Sequence, residues 1–233
     1  VNWAEGFAGY SMKKDEYVAD CSDIDDIIVF RKDGSMMVTK VQSKAFVGKD
    51  LIHIAVFKKN DDRTVYNMIY RDGKQGNTYM KRFPVKSVTR DKEYHVSKGT
   101  KDSAVLYFTA NPNGESEVIE IQLKPVAGLR KLKWDVDFAD LAIKGRQSQG
   151  NLVTKYVVKK VVLKEKGLST LSARDIWFDE TVHRLNTDKR GTFLGSFAPE
   201  DKIITITQTG HYKLSGFDLG THFDEDRLLI EKW

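Results

Sequence analysis

The apolar residues of this chain fall in short runs, not on a helical stripe. Residues 27–30 (Ile-Ile-Val-Phe), 65–70, 105–108 (Val-Leu-Tyr-Phe) and 203–207 are rich in β-branched and aromatic side chains. Turns bearing glycine follow them, at Asp33-Gly34, Asp72-Gly73, Asn113-Gly114 and Gly210. Short runs bounded by Gly, Asn and Asp predict strands joined by hairpins. No segment beyond roughly ten residues keeps a helical period. The turn glycines at 34, 73 and 114 are 39 and 41 residues apart, and the one at 210 lies two steps of 48 further on. A recurrence of about 40–45 residues with about four strands per step predicts a propeller-like array. Such an array is a rigid disc that binds on its rim, not an enzyme built round a pocket.

The predicted units follow in order. Unit one covers 25–59 and unit two 63–101. Unit three starts at Ser103, includes the loop 129–133, and passes through 142–150 into a strand at 153–163. Unit four opens at Asp175-Ile176-Trp177-Phe178, with a glycine-free turn near Glu180-Thr181. A fifth hairpin turning at Gly210 and a strand at 227–231 end the chain, the last strand expected to pair with the first blade and close the ring. Closure would hide an otherwise exposed hydrogen-bonding edge. Residues 1–24 read as an irregular lead-in from a preceding domain, and 25–233 as one domain. The chain opens on Val1, which reads as a piece of a longer protein.

Charge sharpens this picture. The net formal charge is +5 and the pI about 9.0. Residues 1–26 hold seven acids against Lys13 and Lys14, and 218–233 hold five acids against Arg227 and Lys232. Residues 27–217 therefore carry +13 between acidic ends of −5 and −3. A single-sign excess of that size points to a polyanion partner. No apolar run approaches the ~18 residues of a membrane helix, so no membrane partner is expected. The single cysteine, Cys21, excludes an internal disulfide and suits a reducing compartment. Its acidic neighbours Asp20, Asp23, Asp25 and Asp26 disfavour a thiolate, so it reads as an ordinary, partly buried cysteine.

Several segments carry a family resemblance. Residues 25–34, Asp-Asp-Ile-Ile-Val-Phe-Arg-Lys-Asp-Gly, resemble the blade repeat of bacterial type IIA topoisomerase A subunits. Residues 145–150, Gly-Arg-Gln-Ser-Gln-Gly, followed by an apolar strand, resemble the glycine-arginine loop of those blades. Residues 55–67 are similar to A-subunit sequences of the topoisomerase IV type. The resemblance covers about Asp15 to Trp233 and only the family's C-terminal domain. It implies a β-pinwheel, a propeller-like disc of four to five four-stranded blades that bends duplex DNA round a basic rim. The implied partners are double-stranded DNA, the N-terminal cleavage core of the same polypeptide, and the ATPase B subunit of the parent heterotetramer. The implied location is cytoplasmic, at the nucleoid. ATP and magnesium are implied for the parent enzyme only, with no cofactor in this chain.

Two departures matter. The gyrase-type box QRRGGKG is absent, which shifts the likeness toward a topoisomerase IV-like protein with weaker wrapping. The family's cleaving tyrosine follows an arginine, and no Arg-Tyr pair occurs here. The chain is therefore expected to cleave nothing by itself.

A phosphate surface needs Lys and Arg on loops, with glycines that let the backbone approach. Residues 124–133 carry Lys124, Arg130, Lys131 and Lys133 and no acid. Residues 140–166 carry Lys144, Arg146, Lys155, Lys159, Lys160, Lys164 and Lys166 against Asp140 and Glu165. Earlier units add Lys44, Lys49, Lys81, Arg82 and Arg90. The predicted DNA-binding set is Arg146, Lys144, Lys155, Arg130, Lys131, Lys133, Lys44, Lys49, Lys81, Arg82 and Arg90. Arg146 leads it because glycines flank its loop. No recognition helix is predicted, so readout should be of backbone and deformability, without base specificity. Phe30, Tyr70, Phe108 and Phe178 read as blade-core packing, not as stacking platforms. The five histidines are scattered, and no HxxxH, CxxC, P-loop or G-x-S-x-G spacing occurs. Two other readings stand beside DNA binding: a propeller-like scaffold for proteins, and a propeller glycosidase with two carboxylates facing a central pocket.

Overall fold

The computed structural model describes all residues except 13–14, 199–200, 218 and 220. The described residues form strands, turns and one 3₁₀ turn, Phe138–Asp140, and no α-helix. The chain divides into two compact units, Val1–Gly167 and Leu168–Trp233. In chain order the first unit is built from Phe7–Ala8 (β1), Asp26–Arg31 (β2), Ser35–Lys40 (β3), Ala45–Phe46 (β4), Leu51–Phe57 (β5), Val65–Arg71 (β6), Thr78–Pro84 (β7), Glu93–His95 (β8), Ala104–Asn111 (β9), Glu115–Leu123 (β10), Lys133–Asp137 (β11), Asn151–Thr154 (β12) and all but the last two residues of Val158–Ser169 (β13). The second holds Arg174–Asp179 (β14), Arg184–Asn186 (β15), Thr192–Phe197 (β16), Ile203–Thr207 (β17), Tyr212–Ser215 (β18) and Arg227–Lys232 (β19).

The strands make small antiparallel sheets in the orders β5-β2-β3-β8, β12-β7-β6-β9 and β11-β10-β13, with a β1-β4 pair beside the first. The second unit has β15-β14-β16 and β18-β17-β19. The all-β expectation holds, and the blades have three or four strands each. The units are not contiguous in sequence, however. β8 leaves the second hairpin to edge the first sheet, and β12 returns from past residue 150 to edge the second.

The apolar runs explain this stacking. β2 is buried on both faces: Ile28 and Phe30 join one core, Ile27 and Val29 another. β6 does the same, with Tyr66, Met68 and Tyr70 facing the first sheet and Ile69 facing Ile119 and Ile121 of the third. Successive side chains of a strand point to opposite faces, so an unbroken apolar run marks a sheet covered on both sides. Phe30, Tyr70 and Phe178 are fully buried, and Phe108 packs on Phe30 at 4.7 Å between ring centres. The lead-in is put to use here: Ala8 is buried, and Val1 and Trp3 pack on the outer face of the first sheet.

Four local expectations are corrected. Asp33-Gly34, Asp72-Gly73 and Gly210 do turn hairpins, and each glycine has positive φ. Asn113-Gly114 does not. β9 pairs with β6, while β10 pairs with β11 and β13, so this turn carries the chain from one sheet to the next. The two strands have apolar faces for different cores, and a hairpin would satisfy only one. The strand expected at 153–163 is likewise broken at 155–157, between β12 and β13 of different sheets. The late strand expected on the first blade pairs with β17 instead. Cys21, expected to be partly buried, is exposed.

His53 lies inside the first core, with its ring 5.7 to 6.0 Å from those of Phe108, Tyr66 and Phe30. Burial lowers its pKa from 6.5 to about 4. The unfolded chain therefore binds more protons than the folded one between those values, and stability falls as pH drops through that window. The cost at pH ~4.5 is about 2.5 kcal/mol. His53→Phe should remove it. Denaturant unfolding at pH 7 and pH 4.5 should show the wild type losing about that much more than the variant. Parallel losses would disprove the assignment.

Candidate nucleic-acid interface

The glycine-arginine loop sits on β7, and β7 explains its shape. Lys144 N–H donates to the Arg82 carbonyl at 3.0 Å, and Ile143 makes a parallel bridge with Arg82. The chain then turns tightly, Ser148 N–H to Gly145 O at 2.9 Å. Lys81 reaches up from below. Its Nζ donates to the carbonyls of Arg146 (2.6 Å), Ser148 (2.7 Å) and Val96 (2.7 Å). Tyr70 Oη donates to Gln149 O at 2.7 Å. Gly150 has φ +88, and a Cβ there would lie 2.4 Å from Met80 O. Only glycine fits such a strained, crowded position. The chain then enters β12, pairing Asn151 with Met80.

This arrangement corrects two predicted site residues. Lys81 is 2% exposed and Arg82 1%, so neither meets a phosphate. Burial lowers the Lys81 pKa to about 8, and its three donors are spent on carbonyls. Arg82 donates to Asn67 Oδ1 (3.0 Å), Gly114 O (2.8 Å), Glu115 O (3.2 Å) and Phe138 O (3.4 Å). Both hold the surface from beneath. Arg146 is half-buried. Its Nη1 donates to Ser87 O at 3.0 Å and its guanidinium lies 4.8 Å over the Tyr94 ring. That fold-back fixes the loop and leaves a partly exposed charge on it.

The other predicted cations divide by position. Lys144, Lys155, Arg130, Lys131 and Lys133 are exposed. The Lys124 N–H donates to Val157 O at 2.9 Å, and Leu123 N–H to Leu132 O at 2.8 Å. These bonds bring the basic 124–133 loop against the 155–157 crossing. The four residues of β12 separate that crossing from the 142–150 loop. The stretch 141–164 contains Lys144, Arg146, Lys155, Lys159, Lys160 and Lys164 and not one acid. Lys133 is partly spent on Glu120, 3.9 Å away. Lys44, Lys49 and Arg90 lie in loops outside the acid-free stretch, before β4, β5 and β8 respectively. Lys44 covers the Phe7 ring at 4.6 Å, and Arg90 pairs with Asp26 at 3.0 Å. The acid-free stretch thus joins Lys144, Arg146, Lys155, Arg130 and Lys131 through neighbouring backbone, and leaves those three elsewhere.

Sequence reasoning missed the supports, Tyr70 and Tyr94, and misassigned Lys81 and Arg82. A signal existed. Lys81-Arg82 lies between Met80 and Phe83 in a strand too apolar to be a rim. Among the described residues no group of three or more His, Cys, Asp or Glu could hold a metal ion. Among them, too, no helix is long and apolar enough to cross a membrane.

Successive antiparallel blades with interleaved edge strands, and cations gathered on the loops between them, define a domain of the β-pinwheel class. The chain belongs to the topoisomerase C-terminal domain family of Bacteroidota, whose family model matches residues 1–166 and 184–233. It is 28% identical over 165 residues to the A subunit of DNA topoisomerase 4 from Borreliella burgdorferi, covering 70% of this chain. The match spans 24% of that relative's length. Among solved structures, the C-terminal domain of DNA topoisomerase IV aligns at TM-score 0.43 and 11% identity, over 89% of this chain and 79% of that one. The DNA gyrase A C-terminal domain aligns at TM-score 0.31 and 11% identity, over 100% and 93%.

Proposed function

We propose that this chain is a non-catalytic domain that binds and bends duplex DNA for a type IIA topoisomerase of the topoisomerase IV kind, as part of its DNA-cleaving polypeptide. It presents the duplex to an ATP-dependent strand-passage core that lies in the rest of the parent protein and its B subunit, in the cytoplasm at the nucleoid. The observation that carries this reading is the acid-free stretch 141–164 lying against the basic 124–133 loop. Phosphates bind cations by releasing counterions, and such a surface needs no base recognition. A smooth bend over a 20–30 bp site costs on the order of 1–6 kcal/mol, which several phosphate contacts offset.

The test is affinity against salt on linear duplexes of ~40 and ~140 bp. Five to eight phosphate contacts give a log–log slope of about −4 to −7. Tighter binding to the longer duplex supports wrapping. Absence of binding at ~50 mM salt overturns the proposal and favours a protein-interaction scaffold. Exposed Phe193, Tyr212, Leu228 and Trp233 of the second unit are the observation that favours that alternative.

A further inference from the structure

The crossing Lys155-Tyr156-Val157 presents apolar side chains where the DNA-binding reading needs only charge. Tyr156 is 49% exposed and Val157 45%, and Val126 on the adjoining loop is 50% exposed. Tyrosine and valine so placed leave apolar surface in water, which is unfavourable unless something covers it.

The crossing is nonetheless rigidly held. Tyr156 N–H donates to Thr154 Oγ1 at 3.0 Å, and Thr154 itself is buried. Val157 O accepts the Lys124 N–H. β12 anchors one end in the second sheet and β13 the other in the third. Lys155 precedes the ring, Lys159 and Lys160 follow it, and Lys124 stands across from it. The occupant must therefore be anionic and must also offer an apolar slot. A protein surface matching this many cations would be acidic and hydrated. An opened base-pair step of duplex DNA has both properties, with phosphates outside and stacked rings within.

We infer that Tyr156 is a wedge that enters a base-pair step of bound duplex DNA and localises the bend there. This rests on the DNA-binding reading above and adds to it a kink in place of a smooth curve. Side chains that part a base step cost a few kcal/mol of stacking and gain a bent duplex that meets more protein surface. Because the backbone of the crossing is held on both sides, little backbone ordering is added on binding. The wedge reads deformability, so flexible steps should be favoured without any base contact.

The test compares two ~40-bp duplexes, one fully paired and one with a central two-base mismatch that prepays the unstacking. The wild-type chain should bind the mismatched duplex about tenfold tighter. Tyr156→Ser, an exposed change that leaves the cores intact, should bind both equally and keep the salt slope. Tyr156→Phe should retain the preference. A preference unchanged in Tyr156→Ser, or absent from the wild type, overturns the wedge and assigns the ring to a protein partner. Failure of the wild type to bind either duplex overturns the DNA-binding reading itself, so the two failures are distinguishable.

Discussion

Replacing Arg130, Lys131, Lys144 and Lys155 together by glutamine should lower duplex affinity by about 3.5 orders of magnitude at ~0.1 M salt. Each phosphate contact contributes about 0.9 to the log–log slope, which at ~0.1 M salt is about eightfold in affinity. Four contacts compound to the stated loss and make the slope shallower by about 3.6. All four side chains are exposed, so the fold should be unaffected. General charge is controlled by a second variant, in which exposed Lys32, Lys40, Lys59 and Lys101 become glutamine. Its net charge is the same, but its cations lie outside the acid-free stretch and the adjoining loop. It should lose less than about tenfold if the phosphate contacts are made by the acid-free stretch and its adjoining loop. Equal losses in titrations of both variants would mean that net charge, not this surface, sets the affinity.

The loop's shape depends on residues that lie beneath it. Lys81 holds the loop carbonyls, Tyr70 the Gln149 carbonyl, and Gly150 allows the close approach to Met80. The loop is therefore pre-organised, and the ordering cost that a flexible loop would meet on binding is largely absent.

What could be read in the sequence divides along physical lines. Strand identity was legible because runs such as 27–30 and 65–70 are long, β-branched and bounded by glycine. Three of the four turn glycines mark hairpins for the same local reason. The exception, Gly114, obeys the same local rule, yet its strands belong to different sheets. Nothing local separates a hairpin from a crossing, because the partner of β10 is chosen by the core that Ile119 and Ile121 enter. The departure of β8 and β12 to earlier sheets is non-local in the same way. The basic stretch 141–164 was legible from composition. Which cations face out was not: Lys81-Arg82 and Lys159-Lys160 look alike as dipeptides, yet the first pair lies in a strand flanked on both sides and the second in an edge strand. Tyr156 escaped notice because its interest lies in exposure, which no local pattern reveals.

Arg82→Met should cost about 3–5 kcal/mol of stability and lower Tm by on the order of 10 °C. The guanidinium is the hub between the second and third sheets. It ties Asn67 of β6 to the carbonyls of Gly114 and Glu115 at the crossing, and to Phe138 O beyond β11. Asn67 passes the connection on, its Nδ2 donating to Glu117 Oε2 at 3.0 Å, and Thr109 Oγ1 donates to the same carboxylate. Glu117 is only 2% exposed, so the variant leaves a buried carboxylate without its neighbouring cation and several carbonyls without this donor. Burial pushes the Arg82 pKa down, while Asp137 and Glu117 push it back up, so the cation and the carboxylates support one another. The charge imbalance should be relieved by a second change. Arg82→Met with Glu117→Gln should be less destabilised than the sum of the two single variants, by 1 kcal/mol or more, as expected for residues within one network (about 0.5–3 kcal/mol). Thermal and denaturant unfolding of the three variants measures this directly. Strict additivity would show that Arg82 acts through its bonds to Asn67 and the carbonyls, without coupling to Glu117. A loss of duplex affinity beyond that explained by unfolding would show that the hub also holds the Lys144 end of the loop, which hangs from the Arg82 carbonyl.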